Sequence, residues 1–132
     1  MAYDRKLLSA ARRELERDRE AHEDELEARR RDVYAREPRI RAIDRELSAT
    51  AIQVLRAALE QGSDPEKAIA SLRERNLSLQ EERSRLLRGL GLPADWLTNR
   101  PMCEKCGDTG YEGAATCECV KRRYARLLKQ QL

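Results

Sequence analysis

A mainly all-α chain is what this sequence predicts, and three observations predict it. Charged residues make up 39% of the 132 positions and aromatics 4%, with no Phe. So little bulky apolar surface cannot fill a wide core, but it suits long helices joined along narrow seams. Apolar residues recur at steps of three and four over most of the chain, and Pro and Gly stand where that pattern stops. All four cysteines lie in one loop near the C-terminus. The expected architecture is a long helix, an antiparallel helical hairpin or coiled coil, a small four-cysteine module and a short C-terminal helix. The helical region covers residues 1–92, and the cysteine module with its basic helix covers residues 93–132.

The first helix is expected from residue 3 to about residue 36, a stretch without Pro or Gly. Its apolar stripe is thin: Ala11, His22 and Val33 recur every eleven residues, as do Leu15 and Leu26. Eleven residues make three turns, a period of about 3.67 that suits a nearly straight helix. The Arg- and Glu-rich surface between them is stabilised largely by i,i+4 ion pairs. The stripe fits a solvated spacer, a partner-docking arm or a self-association seam. The Arg29–Arg31 run has interleaved acids nearby and reads as a solvated face.

Glu37-Pro38 breaks or kinks that helix, because Pro38 has no N–H and restricts the residue before it, and Pro38 also suits the first turn of a new helix. The second stripe is Ile40, Ile43, Leu47, Val54 and Gln61, with Ala51 and Ala58 beside it. Ile52, Leu55 and Leu59 widen it, so the whole is read as a core face. Gly62 suits a left-handed helix end, and Ser63 to Glu66 matches a capping box. The third stripe runs Ile69, Leu72, Asn76, Leu79, Arg83, Leu86, Leu90, with Asn76 at a position that can set register. The short connection makes the second and third helices antiparallel neighbours. The first helix either folds back on them or projects.

Gly89-Leu90-Gly91-Leu92-Pro93 closes the hairpin, and Pro93 to Leu97 reads as one helical turn. Trp96 is the only tryptophan, expected as a packing anchor, with a surface contact as the sharper reading. The last helix carries Val120, Tyr124, Leu127 and Leu128 on one face and Lys121, Arg122, Arg123, Arg126 and Lys129 on the rest. It reaches Leu132 with no stop signal, which suggests a longer parent chain.

The cysteines form C-x-x-C (Cys103, Cys106) and C-x-C (Cys117, Cys119), with ten residues between the pairs. Four thiolates so spaced can converge on one tetrahedral Zn²⁺. A Cys₂His₂ finger is excluded, because the single histidine, His22, lies far upstream. Gly107, Gly110 and Gly113 allow tight turning, and a helix opening at the second pair turns its positive end towards sulfur. Lys105, Lys121, Arg122 and Arg123 stand ready to offset the −2 formal charge of a zinc tetrathiolate. Two disulfides or a redox dithiol are the alternatives; the first lacks any sign of secretion and the second lacks a βαβ context.

Net charge is +3. Residues 1–37 carry 10 bases and 11 acids, residues 38–97 carry 10 and 9, and residues 98–132 carry 7 and 4. The small excess sits beside the thiolates, so charge argues only weakly for nucleic acid. No apolar run approaches the roughly 18 residues of a membrane span, and no signal peptide precedes the charged start. A cytoplasmic location with no membrane partner is expected, and reduced thiols there favour metal over disulfide. There is no G-x-x-x-x-G-K-[ST] loop, no H-E-x-x-H and no nucleophile beside a base, so no catalytic residue is assigned.

The runs GLPADWL (Gly91–Leu97), CEKCGDTGYEG (Cys103–Gly113) and CECVKRRY (Cys117–Tyr124) resemble the N-terminal region of bacterial DnaC/DnaI-type helicase loaders. The charged upstream helix and the break at Glu37–Ile40 extend that resemblance over most of the chain. It implies a zinc-binding, non-enzymatic domain that docks onto a DnaB-type replicative helicase, with zinc ligands Cys103, Cys106, Cys117 and Cys119. It also implies an AAA+ ATPase domain in the parent protein, which this sequence does not contain. Trp96, Tyr111, Arg122 and Arg123 are the candidate partner contacts. The alternative is a zinc-dependent module holding single-stranded nucleic acid weakly through its basic helix. The segment C-x-x-C-x-D-T-G also resembles the cysteine-rich module of J-proteins; that module repeats, whereas here the motif occurs once and ends in C-x-C.

Overall fold

The structure is a computed structural model that describes residues 3–60 and 64–132. The described chain is mainly helical: α1 (Arg5–Arg36), α2 (Pro38–Leu59), α3 (Pro65–Gly89), β1 (Tyr111–Glu112), β2 (Ala115–Thr116) and α4 (Glu118–Gln130). No helix among the described residues is long and apolar enough to cross a membrane. Contacts group the chain into two compact units, Ala28–Leu97 and Met1–Glu27 with Thr98–Leu132. Helix α1 contributes to both.

In the unit Ala28–Leu97, the break falls where Pro38 requires it. Pro38 is in the first turn of α2, and the Glu37 side chain caps that helix by accepting from the Arg39 N–H. Helices α2 and α3 run antiparallel, as their cross-pairs show. Arg39 holds Glu82 with two hydrogen bonds, at 2.7 and 3.0 Å, while Arg75 reaches Glu46 at 3.0 Å, so rising numbers on α2 meet falling numbers on α3. Asp44 takes Arg83 at 2.6 Å and also accepts from the Tyr34 hydroxyl, which ties the end of α1 into the pair. Burial, reinforced by the Asp44 carboxylate, pushes the Tyr34 phenol up to about 12.

The core of this unit gathers Val33, Ile40, Leu87 and Leu97, with Trp96 packed against it. Trp96 is thus an anchor, and the Arg29 guanidinium lies 4.0 Å from its ring centroid. Arg29 is therefore not part of a solvated face. Helix α3 ends in a Schellman arrangement: Gly91 takes φ 78°, its N–H reaches the Arg88 carbonyl, and the Leu92 N–H reaches that of Leu87. The segment after it is a hydrogen-bonded turn, with the Trp96 N–H on the Pro93 carbonyl, rather than a helical turn.

Several expectations for the hairpin change. Ile40 and Ile43 are buried and Leu47 and Val54 half-buried, but Ile52, Leu55 and Leu59 are 57%, 61% and 74% exposed. Ala51 and Ala58 are exposed as well. The reason is geometric. A helix with one neighbour can bury only one stripe, and the widened face has no second neighbour among the described residues. The buried position between Leu47 and Val54 belongs to Thr50, whose hydroxyl donates back to the Glu46 carbonyl at 2.8 Å. On α3, Leu87 is fully buried beside the anticipated Leu79. Asn76 is half-buried and accepts from Gln80 of its own helix, with no cross-helix partner among the described residues. Gln61, Gly62 and Ser63 lie outside the described residues. The α3 cap is Asp64, which accepts from the Glu66 and Lys67 N–H groups.

In the other unit, Asp4 caps α1 by accepting from the Lys6 and Leu7 N–H groups. Ala11, Leu15 and Val120 form the core, with Leu8, Cys119, Tyr124 and Leu127 around it. The thin stripe on α1 is therefore a packing surface here, not a solvated spacer: Ala11, Leu15 and Leu26 are buried, and His22 Nε2 lies 2.8 Å from the Arg100 carbonyl oxygen. Leu128, expected on the apolar face of α4, is 42% exposed. Acids of α1 meet bases of α4: Arg123 donates to Glu14 at 2.9 Å and to Asp18 at 2.6 Å, and Arg126 also donates to Glu14.

Two outcomes follow from this packing. Leu87→Ala should cost about 2–5 kcal/mol in urea unfolding, as deletion of a fully buried leucine does, while Leu59→Ala should stay within about 0.5 kcal/mol. Hydrogen bonding from Arg126, helped by Arg123, holds the Glu14 carboxyl below its usual range. A depressed carboxyl contributes stability that is present above its unfolded pKa and lost as pH falls through the folded one. Glu14→Gln should therefore lower stability at neutral pH and flatten the acid limb of a stability–pH curve.

Candidate metal centre

The loop from Pro101 to Cys117 is poor in bulky apolar side chains, so backbone and polar groups must shape it. Asp108 does most of this. It is buried, 5% exposed, and takes the left-handed conformation at φ 68°. From there its carboxylate turns back on the start of the loop, where Oδ1 accepts from the Cys103 N–H at 2.8 Å and Oδ2 from the Met102 N–H at 3.0 Å. The Gly107 N–H donates to the Cys103 carbonyl at 2.9 Å, closing the turn between the first two cysteines. The Thr109 hydroxyl donates to the Cys106 carbonyl at 2.8 Å and accepts from the Tyr111 N–H at 3.2 Å.

Gly110 then meets the helices. A Cβ there would lie 3.2 Å from both Leu15 Cδ2 and Val120 Cγ2, and φ is 85°. Only glycine fits that place without displacing a core side chain. Beyond it, β1 and β2 pair antiparallel, Tyr111 with Thr116 and Glu112 with Ala115, a short ladder inside the expected loop. The Cys117 N–H returns to the Gly110 carbonyl at 2.9 Å, which sets the second cysteine pair against the first. Cys117 is the N-cap of α4 and Cys119 lies in its first turn, so the positive end of the helix faces sulfur as anticipated.

All four thiols are free, and their Sγ atoms lie within 4.8 Å of one another. Cys103 and Cys117 are 3.7 Å apart at sulfur, Cys106 and Cys119 3.6 Å. These are far longer than a disulfide bond of about 2.05 Å. Four sulfurs converging from two short segments could hold one metal ion, and of the four it is Cys106 whose surroundings favour the anion. The Gly110 N–H points at Cys106 Sγ at 3.4 Å. Burial opposes ionisation of Cys106, but that N–H and the neighbouring thiols outweigh it and bring it to about 7. For Cys117 the Cys119 N–H favours the thiolate, yet burial and Glu112, whose Oε1 is 3.3 Å away, push it up to about 11. Burial and the Cys106 sulfur raise Cys119 further.

The bases expected to offset the thiolates are placed otherwise. Arg123 is committed to Glu14 and Asp18, while Lys105, Lys121 and Arg122 are exposed. Among the candidate partner contacts, Trp96 packs in the core of the unit Ala28–Leu97, Arg122 is exposed, and Tyr111 is 49% exposed beneath the Arg12 guanidinium, 4.3 Å from its ring centroid. Arg12 also donates to the Thr116 hydroxyl at 3.0 Å, which fastens the β-hairpin to α1. Asp108, Thr109 and Arg12 were not singled out from sequence, although the Asp-Thr-Gly run after the first cysteine pair was the available signal.

No known protein family, curated protein or solved structure matches the chain.

Asp108→Ala leaves two loop N–H groups without their acceptor, a loss of about 1–3 kcal/mol. Amide hydrogen exchange should quicken first at Met102 and Cys103, and Gly110→Ala should loosen the contacts of Leu15 and Val120 while leaving α2 and α3 protected.

Proposed function

We propose that this chain is a zinc-clamped helical adaptor domain of a replicative-helicase loader, and that it docks its parent protein onto a DnaB-type helicase. The observation that carries the reading is the convergence of Cys103, Cys106, Cys117 and Cys119 in a loop shaped by Asp108, Thr109 and Gly110. Zinc–sulfur bonds of about 2.3 Å in a tetrahedron give sulfur–sulfur edges of about 3.8 Å. The separations of 3.7 and 3.6 Å suit that edge. Bound zinc would be structural, since four thiolates leave it no open coordination position. A long helix, an antiparallel hairpin, a Cys₄ zinc module and a short helix is the arrangement this reading assigns, within a cytoplasmic protein whose ATPase domain lies elsewhere in the parent chain.

The partner comes from the resemblance of GLPADWL, CEKCGDTGYEG and CECVKRRY to the loader family. Single-stranded nucleic acid is the weaker alternative. Arg123 and Arg126 are neutralised by Glu14 and Asp18, and the Arg12 guanidinium lies over the Tyr111 ring, so fewer cations and less open ring surface remain there for phosphate and base.

Purified chain should carry one zinc, and chelation or Cys106→Ser should unfold residues 100–124 while α2 and α3 keep their helicity. Calorimetric titration against the purified replicative helicase should show saturable binding that chelation weakens. Zinc-loaded, folded chain that gives no heat with the helicase would sink the adaptor reading. Salt-sensitive binding to single-stranded DNA, losing about 0.7 log units per phosphate contact per tenfold rise in salt, would favour the alternative.

A further inference from the structure

The second half of α2 is unlike the rest of this chain. From Ala49 to Leu59 it has one charged residue, Arg56, in a protein that is 39% charged. Ile52, Leu55 and Leu59 are more than half exposed there. They are not scattered. Arg41, Arg45, Ser48, Ile52, Leu55 and Leu59 follow one another at steps of four, three, four, three and four, so they lie on a single stripe of α2. All six are exposed, and the buried residues Ile40, Ile43 and Thr50 lie on the opposite side, against α3. The stripe opens with two arginines and turns apolar halfway. Among the described residues no acid pairs with Arg41, Arg45 or Arg56.

A solvated face would have continued as Arg and Glu, as the outer surface of α1 does. Three large aliphatic side chains in register on an uncovered helix mark a surface that something covers. The three-and-four spacing is the complement of another helix; a strand would need every second residue. The stripe spans about 27 Å at 1.5 Å per residue, room for a helix of some five turns. Charge then selects the occupant. Two copies of this chain paired in parallel set Arg41 on Arg41 and Arg45 on Arg45. Paired antiparallel in full overlap, they set those arginines against Leu59 and Leu55. Neither fits. A helix with an apolar stripe at one end and carboxylates at the other satisfies both halves.

We propose that this stripe of α2 is the docking surface for an acidic amphipathic helix of another protein. The inference does not depend on the metal or on the helicase reading.

The test uses the full chain and two synthetic helical peptides of about twenty residues. Both carry leucines at alternating steps of three and four; one has glutamates at the end that meets Arg41 and Arg45, and the other has lysines there. Fluorescence anisotropy should show binding of the acidic peptide, weakened by salt, and little binding of the basic one. Leu55→Glu with Leu59→Glu should lower the affinity about tenfold or more with helicity unchanged, since both side chains are on the surface. Arg41→Glu with Arg45→Glu should reverse the preference between the peptides. Equal affinity of both peptides, an unaffected leucine double variant, or no binding of the acidic peptide would overturn the proposal. So would a dimer of the chain in sedimentation that the leucine double variant dissociates, because the occupant would then be a second copy.

Discussion

Bringing Cys103 and Cys106 up to Cys117 and Cys119 is the constraint on which the C-terminal part of this molecule depends. The loop between the pairs has little apolar surface, so hydrophobic burial cannot close it. Closure falls to polar groups with fixed geometry: the Asp108 carboxylate on the Met102 and Cys103 N–H groups, Thr109 on the Cys106 carbonyl, and the Cys117 N–H on the Gly110 carbonyl. Each bond contributes modestly on its own, of order 1 kcal/mol net. Sulfurs gathered on one ion add a term of another size, about 10–16 kcal/mol for structural zinc in small peptides. The polar bonds select the geometry, and the metal, on this reading, makes it persist.

Consequences run outward from that point along the chain. Cys117 is both a sulfur of the cluster and the N-cap of α4, so closing the loop also fixes where α4 begins. That start places Val120 on Ala11 and Leu15, and Arg123 and Arg126 over Glu14 and Asp18. The first half of α1 has too few apolar residues to be held by burial alone. It gains its partner only because the loop and α4 arrive together, with Gly110 letting the backbone approach Leu15. The same pairing decides the electrostatics. Bases that look available in the linear sequence are spent on α1, which leaves a surface less cationic than the local count of 7 bases against 4 acids suggests.

Much of the fold was legible because local rules acted without competition. Pro38 could only open a helix, Gly91 only close one, and the eleven-residue recurrence of Ala11, His22 and Val33, and of Leu15 and Leu26, marked residues that are buried, His22 being half-buried. What failed was the step from an apolar residue to a buried one. Periodicity identifies a face, but only a neighbour buries it, and Ile52, Leu55 and Leu59 have none among the described residues. Thr50 shows the converse, since its hydroxyl is satisfied by its own helix and can therefore sit inside. The cysteine cluster was legible from spacing alone. The residues that shape it were harder to see, because Asp108 acts through a left-handed backbone that no periodicity announces.

The loop also separates what a shared motif can carry from what it cannot. Every residue of Asp-Thr-Gly has internal work: Asp108 holds the loop entry, Thr109 ties its middle, and Gly110 allows contact with Leu15 and Val120. Tyr111 is occupied by Arg12. A chain with the same block is therefore under pressure to build the same loop, whatever it binds. Resemblance through these residues speaks to architecture and to the ligand set, and it says little about partner. Choice of partner must reside in side chains that the fold does not use. Among the described residues, the exposed Lys105, Lys121 and Arg122 and the half-apolar stripe of α2 are of that kind. The stripe is the more selective of the two, since its leucines and its arginines must be matched together, at a fixed helical spacing, by one complementary surface.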